Sequence, residues 1–279
     1  MIEGSVSNSA CGLNKALLKP FEYLHLVRLG PNRDGGYVVP GDQIVHCETL
    51  ISLGLSDDWS FDKACLALNP VLKIIGVDHT VGPLPFTRRI LRSLWKIPLY
   101  ALTGNQTKRT KYTRKLRNHI DYFIFFRDPH RHIKKRVSSG TGPLDINLQK
   151  IFDLAESSDS GCNVFLKMDI EGSEYEVISD IVRHQHRIRC IAAEFHHLDK
   201  NPDDFNTAVR ALTQQFYIVH IHANNYGGYH DNFPATVEIT FVNKSLFEQP
   251  LLPSRHQYPR EKLDFPNNPK IPDYRLQFE

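Results

Sequence analysis

Residues 163–178, NVFLKMDIEGSEYEVI, constrain the fold of this chain more than any other stretch. An apolar run of strand length, Val164, Phe165 and Leu166, meets Asp169, Glu171 and Glu174. Tyr175, Val177, Ile178 and Ile181 then recur at helical spacing, so the pattern predicts a buried strand feeding a helix. Acidic side chains gathered where such a strand emerges are costly as packing. They are useful as chemistry, because open α/β sheets bind ligands beyond the carboxyl ends of their strands.

The same alternation runs along the chain. Strands are predicted at 49–53, 72–77, 122–126, 133–138, 188–195, 216–222 and 236–242, and helices near 13–26, 59–68, 147–155 and 202–214. Strands alternating with helices imply a mostly parallel sheet covered on both faces. The last pair of strands lacks an intervening helix and carries the turn residues Asn225, Tyr226, Gly227 and Gly228, which predicts an antiparallel hairpin. Asp34, Gly35 and Gly36 predict a tight reversal between two short extended pieces. The chain divides into an entry segment (1–44), one domain (45–245) holding a basic insert (about 84–136), and a tail (246–279) whose six prolines predict an extended segment that wraps the domain or stays mobile.

Charge is unevenly spread. Between residues 86 and 137 stand fifteen Lys or Arg against two acids, Asp121 and Asp128, so the remainder is net acidic. A solvated helical face or an anionic partner explains such a block, the candidates being a membrane surface, a charged glycan or nucleic acid. Phe86, Ile90, Leu91, Leu94 and Trp95 interleave with the charges at helical spacing, which favours an interfacial amphipathic helix touching an anionic membrane. No apolar run reaches the ~18 residues of a membrane span, and the first residues lack the basic and apolar regions of a secretory signal. Five scattered cysteines without a C-x-x-C pair argue against a disulfide framework or a zinc knuckle and for a cytoplasmic location.

Lys167, Asp169, Glu171, Gly172 and Glu174 form a K-x-D-h-E-G-x-E signature, h being apolar, by which the chain resembles the FkbM family of S-adenosylmethionine-dependent O-methyltransferases. Arg28 and Gly30 with residues 34–39, Ser52-Leu53-Gly54 with Asp57 and Asp58, and Asp78-His79-Thr80 extend the resemblance in the right order over roughly 28–242. It implies a Rossmann-like class I methyltransferase fold: a seven-stranded, mostly parallel sheet closed by an antiparallel C-terminal hairpin. It also implies a hydroxyl of a sugar or glycan as acceptor, and places Gly36 and His79 beside the cofactor. The long basic insert and the proline-rich tail depart from the family.

The loop after the first sheet strand supports a cationic cofactor. A dinucleotide site needs G-x-G-x-x-G to close on an anionic pyrophosphate. Here one glycine, Gly54, is followed by Asp57 and Asp58, which would repel that anion but tolerate the sulfonium and ammonium of S-adenosylmethionine. Asp78 ends the next strand where a carboxylate accepts the ribose hydroxyls. As plainer roles, Asp57 or Asp58 can cap a helix and Asp78 can sit in a turn.

Methylating an alcohol requires alignment with the S–CH3 bond and removal of a proton, by a side-chain base or through a divalent ion. Carboxylates and imidazoles cluster at three successive strand ends: Asp169; Glu194, His196 and His197; His220, His222, Asn224 and Asn225. Asp169, Glu194 and His222 are the expected acceptor-side cluster, acting as base or holding Mg or Mn. Lys167 points to the same side as Asp169, where it orients the acceptor or forms a buried ion pair. Glu171 and Glu174, at a helix start, also suit the helix dipole. The competing functions are RNA methylation through the basic insert, which lacks an interleaved aromatic platform for bases, and a non-catalytic binding module of the same fold.

Overall fold

The computed structural model describes residues 12–140, 142–155, 161–230 and 232–278. The described residues open with a 3-10 turn, Lys15–Leu18, where the sequence predicts a helix near 13–26; Pro20 breaks the pattern and Leu26 already starts a strand. That strand, β1 (Leu26–Leu29), pairs antiparallel with β2 (Tyr37–Pro40) across the Asp34-Gly35-Gly36 reversal. A short helix, α1 (Gly41–Ile44), leads into the main sheet.

Next come β3 (Thr49–Leu53), α2 (Ser60–Leu68) and β4 (Lys73–Val77). The basic segment folds as two antiparallel helices, α3 (Pro83–Leu102) and α4 (Gln106–Phe125), the second capped by the Asn105 side chain on the Lys108 amide. The strand expected at 122–126 is thus the end of α4. Its aromatic residues recur at helical spacing, and Tyr122 packs on Phe86 and Trp59. The extended stretch expected at 133–138 is divided. β5 (Arg131–Ile133) joins the main sheet, while β6 (Arg136–Val137) pairs with β7 (Asp145–Ile146).

After α5 (Leu148–Leu154) run β8 (Val164–Met168), α6 (Glu174–Arg183), β9 (Ile188–Phe195), α7 (Pro202–Gln215) and β10 (Phe216–Ala223). A small ladder, β11 (Tyr229–His230) with β12 (Phe233–Pro234), precedes β13 (Val237–Asn243). The sheet order is β10-β13-β9-β8-β3-β4-β5, and β13 runs antiparallel to both its neighbours while the other pairs are parallel. This is the Rossmann-like, seven-stranded arrangement that the resemblance implies.

Period-two alternation sends side chains to two cores. Leu50, Ile74 and Phe165 face α2 and the α3–α4 hairpin, and Ile51, Ile75 and Leu166 face the opposite layer of α5, α6 and α7. β8 is buried throughout, as a central parallel strand must be. The proline-rich tail wraps the domain: it bridges back to Phe21 through Pro253, and Tyr258 pairs with Leu276. Cys47, Cys65, Cys162 and Cys190 carry free thiols, and Cys11 lies outside the described residues.

Candidate active site

Two crevices open at the carboxyl ends of the parallel strands, and they meet at Asp34, Asp169, Glu171 and Tyr226. Where the strands splay around the sheet's order reversal, β3 and β8 leave room that their following loops line.

The first crevice, about 730 Å³, is lined by the loop after β3, the end of β4, the start of β6 and residues 267–270 of the tail. Gly54 has φ +80°, and a Cβ there would lie 1.7 Å from the Asp169 carbonyl oxygen, so no other residue allows the two strand ends to approach this closely. Lys167 locks the same junction, donating from Nζ to the Gly54 carbonyl at 2.8 Å and standing 3.6 Å from Asp169 Oδ2.

Asp78 is nearly buried, and the chain itself occupies both its oxygens: Oδ2 accepts from the Leu55 and Ser56 amides, and Oδ1 from the amide and hydroxyl of Thr80. Burial alone would raise its pKa, but these donors outweigh it and hold the carboxyl below its usual range. Asp78 therefore fixes the loop while facing the crevice. His79, Asp57 and Asp58 line the wall from exposed positions, and Asp58 Oδ1 accepts from the amide of Ser60, the first residue of α2. Gly36 does not reach the lining: a Cβ there would collide with the Pro31 carbonyl, and its neighbour Gly35 is the residue on the wall. Asp62, wholly buried on α2, also faces this side, and burial pushes its carboxyl up to about 6.

The second crevice, about 710 Å³, is lined mainly by polar residues, among them His196, His197, Asp199, Lys200, Asn224 and Thr236. At its floor the strand register sets a row of acids. Glu194 of β9 lies opposite Glu238 of β13, which lies opposite His222 of β10. Asp169 follows the end of β8 beside Glu194, and the Tyr37 hydroxyl joins the two, lying 3.1 Å from Asp169 Oδ2 and 3.3 Å from Glu194 Oε2. The Asn224 side chain donates to Glu194 Oε1 at 2.6 Å. Burial, with Asp169 and Glu238 adding like charge, pushes the Glu194 carboxyl far above its ordinary range, and burial beside the same acids raises Tyr37.

His222 does not enter the crevice with Asp169 and Glu194, because Glu238 stands between. Its Nδ1 faces Glu238 Oε2 at 3.3 Å and its Nε2 faces Asp273 Oδ2 of the tail at 2.8 Å. Burial would lower its pKa, but the two carboxylates retain the proton and push it up to about 10. An imidazolium with both nitrogens engaged is neither base nor ligand. His220 is likewise tied to the tail, through Asp264 at 2.8 Å.

The histidine that does reach the junction is His196. Its Nδ1 lies 2.9 Å from Glu174 Oε1, leaving Nε2 3.7 Å from Glu171 Oε2 and 3.5 Å from Glu194 Oε1. Burial opposes charge on this ring, yet Glu174 outweighs it and the pKa is raised. Glu174 is fully buried and also accepts from the Ile170 and Gly172 amides, so it closes the loop in which Glu171 adopts φ +55°. Asp169, Glu171 and His196 each offer one ligand atom, all within 4.8 Å of one another. In the sequence Asp34 and Tyr37 carry only the reversal and the resemblance, and Glu238 and the tail's Asn267 carry no role. A lone acid inside the apolar run of β13 was the available sign for Glu238.

Residues 47–223 match the model of a family described as the Methyltransferase FkbM domain. No curated protein matches the chain in sequence. Among solved structures it is similar to one titled fibrillarin/Nop5p complex, at 11% identity over 71% of this chain and 73% of that one, TM-score 0.38. It is also similar to precorrin-6y C5,15-methyltransferase from Geobacter metallireducens GS-15, at 13% identity over 73% of this chain and 85% of that one, TM-score 0.34. The Methanococcus jannaschii fibrillarin pre-rRNA processing protein gives 9% identity over 82% and 73%, TM-score 0.37.

Proposed function

The chain belongs to the FkbM methyltransferase family, and from that footing we propose that it methylates a hydroxyl of a sugar or glycan with S-adenosylmethionine as donor. The observation that carries the reading is the meeting of two crevices at Asp169, one suited to the donor and one to a polyhydroxylated acceptor.

The donor supplies an electrophilic methyl group on a sulfonium. The first crevice fits it: acids outnumber bases on its wall, which favours a sulfonium and an ammonium, while Arg33, Lys135 and Lys270 can receive a carboxylate. Asp78 holds the loop around the nucleoside end, and the Thr80 hydroxyl it binds is the contact a ribose hydroxyl would replace.

The second crevice offers hydrogen-bonding groups from several elements and an exposed phenol ring, Tyr226, on which the C–H face of a sugar can rest. A flat aromatic acceptor would call for an apolar slot, which this lining does not supply. His196 takes the hydroxyl proton at Nε2, with Glu174 fixing its Nδ1–H, in the manner of an acid-oriented histidine base. Asp169 and Lys167 position the acceptor at the junction. A second reading gives Asp169, Glu171 and His196 to a divalent ion such as Mg or Mn, which would lower the hydroxyl pKa; their close grouping and the Glu174 contact behind His196 support it.

Calorimetric titration with S-adenosylmethionine and S-adenosylhomocysteine, with and without Mn, tests the donor side, and transfer of labelled methyl to a panel of glycans tests the acceptor. Saturable binding followed by label on a sugar is expected. No heat of binding would return the fold to a non-catalytic binding module, and label on RNA alone would exclude the glycan.

A further inference from the structure

We propose that the α3–α4 hairpin docks this protein on an anionic lipid bilayer, with α3 lying in the headgroup plane on an outward apolar stripe. Leu84, Leu91, Trp95 and Leu102 recur at spacings of seven, four and seven residues, which sets them on one line along a helix of 3.6 residues per turn. They are 59%, 62%, 63% and 88% exposed. The buried residues of α3, Phe86 and Ser93, lie on the opposite side of the helix, where they meet the domain. A surface helix ordinarily turns its apolar stripe inward, but α3 has one contact face inward and a second, about 27 Å long, facing water.

Charge selects the partner. The two helices together carry ten Lys or Arg and a single acid, Asp121, which already holds Lys63 and the Trp59 ring nitrogen. A second copy of the hairpin would set like charge against like. Nucleic acid would need a platform of rings for its bases, yet the stripe presents one indole, and Lys96 lies over it at 4.6 Å. An anionic bilayer satisfies both halves at once: the basic side chains meet phosphates, and the leucines and Trp95 enter the acyl boundary. Because α3 starts just after Asp78, His79 and Thr80, docking sets the mouth of the first crevice beside the membrane.

The chain has two tryptophans, and Trp59 is buried, so Trp95 reports on docking directly. The full chain is mixed with vesicles of phosphatidylcholine containing phosphatidylserine, or of phosphatidylcholine alone. Expected are cosedimentation with the mixed vesicles, a blue-shifted emission and quenching by brominated acyl chains. A Leu91→Ser/Leu102→Ser variant keeps the reporter and should lose at least about tenfold in partitioning, with an unchanged thermal melt. No cosedimentation overturns the proposal, as do binding without a blue shift, full binding by the double variant, or a dimer in solution that shields Trp95. RNA that displaces the protein from vesicles while leaving Trp95 emission at its membrane-bound position would also overturn it. Binding is read without donor or acceptor, so failure here leaves the methyltransferase reading untouched.

Discussion

The two crevices share Asp169 but are assembled by opposite means. On the donor side the backbone does the work: Gly54 permits contact with the Asp169 carbonyl, and Asp78 gathers the amides of Leu55, Ser56 and Thr80. On the acceptor side charged side chains from β8, β9, β10 and β13 are balanced against one another, and the tail supplies Asp264, Asn267 and Asp273 to hold them. The donor site is thus governed by shape and the acceptor site by charge, so steric changes should ruin the first and pH or charge changes the second.

Gly54→Ala is the most severe break on the donor side. The added methyl meets backbone, which cannot swing away, at a positive φ, and strain plus overlap should cost about 5 kcal/mol. Urea denaturation should show that loss, and calorimetry should show no donor binding even where the variant folds. A variant with wild-type stability would mean that β3 and β8 do not approach as described.

Asp169→Asn is nearly isosteric and should leave the donor crevice standing. Turnover should fall about 100- to 1,000-fold, while donor affinity stays within a few-fold of wild type. Equal losses of both would place Asp169 in the donor site and erase the contrast between the crevices.

The tail's grip on the acid row gives a pH test. The pKa of folded His222 is about 10, above the ~6.5 of an unfolded histidine. Its contribution is therefore fully present below pH ~6.5 and is lost as pH rises through about 10. Glu194, also raised, acts in the same direction. Unfolding free energy from urea titrations should drop by about 3 kcal/mol between neutral and pH 10. Asp273→Asn should flatten that slope and expose the tail to proteolysis. An unchanged slope in the variant would detach His222 from the effect.

Legibility in the sequence divides along the same line. β3, β8, β9 and α7 announce themselves through apolar period and length, and Gly54, Asp78 and Asp169 are read from their places at strand ends, because a donor loop is made of neighbours in sequence. His222 had the right face of the right strand, since the row Glu194, Glu238, His222 is real, but strand order decides what stands between, and β13 inserts Glu238 there. Aromatic content hid the end of α4, where tertiary packing on Phe86 and Trp59 overrides strand propensity. The tail's aspartates were invisible as site residues because nothing local marks a long-range contact.

Glu171→Gln is the mildest change and separates the two acceptor-side chemistries. Glu171 is largely exposed, and it faces His196 Nε2 at 3.7 Å across solvent. If His196 is the base, losing this charge removes a solvent-screened interaction worth less than about 1 kcal/mol, so turnover should fall no more than about fivefold and a chelator should change nothing. If instead Asp169, Glu171 and His196 hold an ion, the amide is a poor ligand, and activity should collapse and return with added Mn. The small effect would confine the acceptor crevice to proton transfer through His196 and Glu174; the large one would make Asp169 a ligand and assign its loss on substitution to the ion.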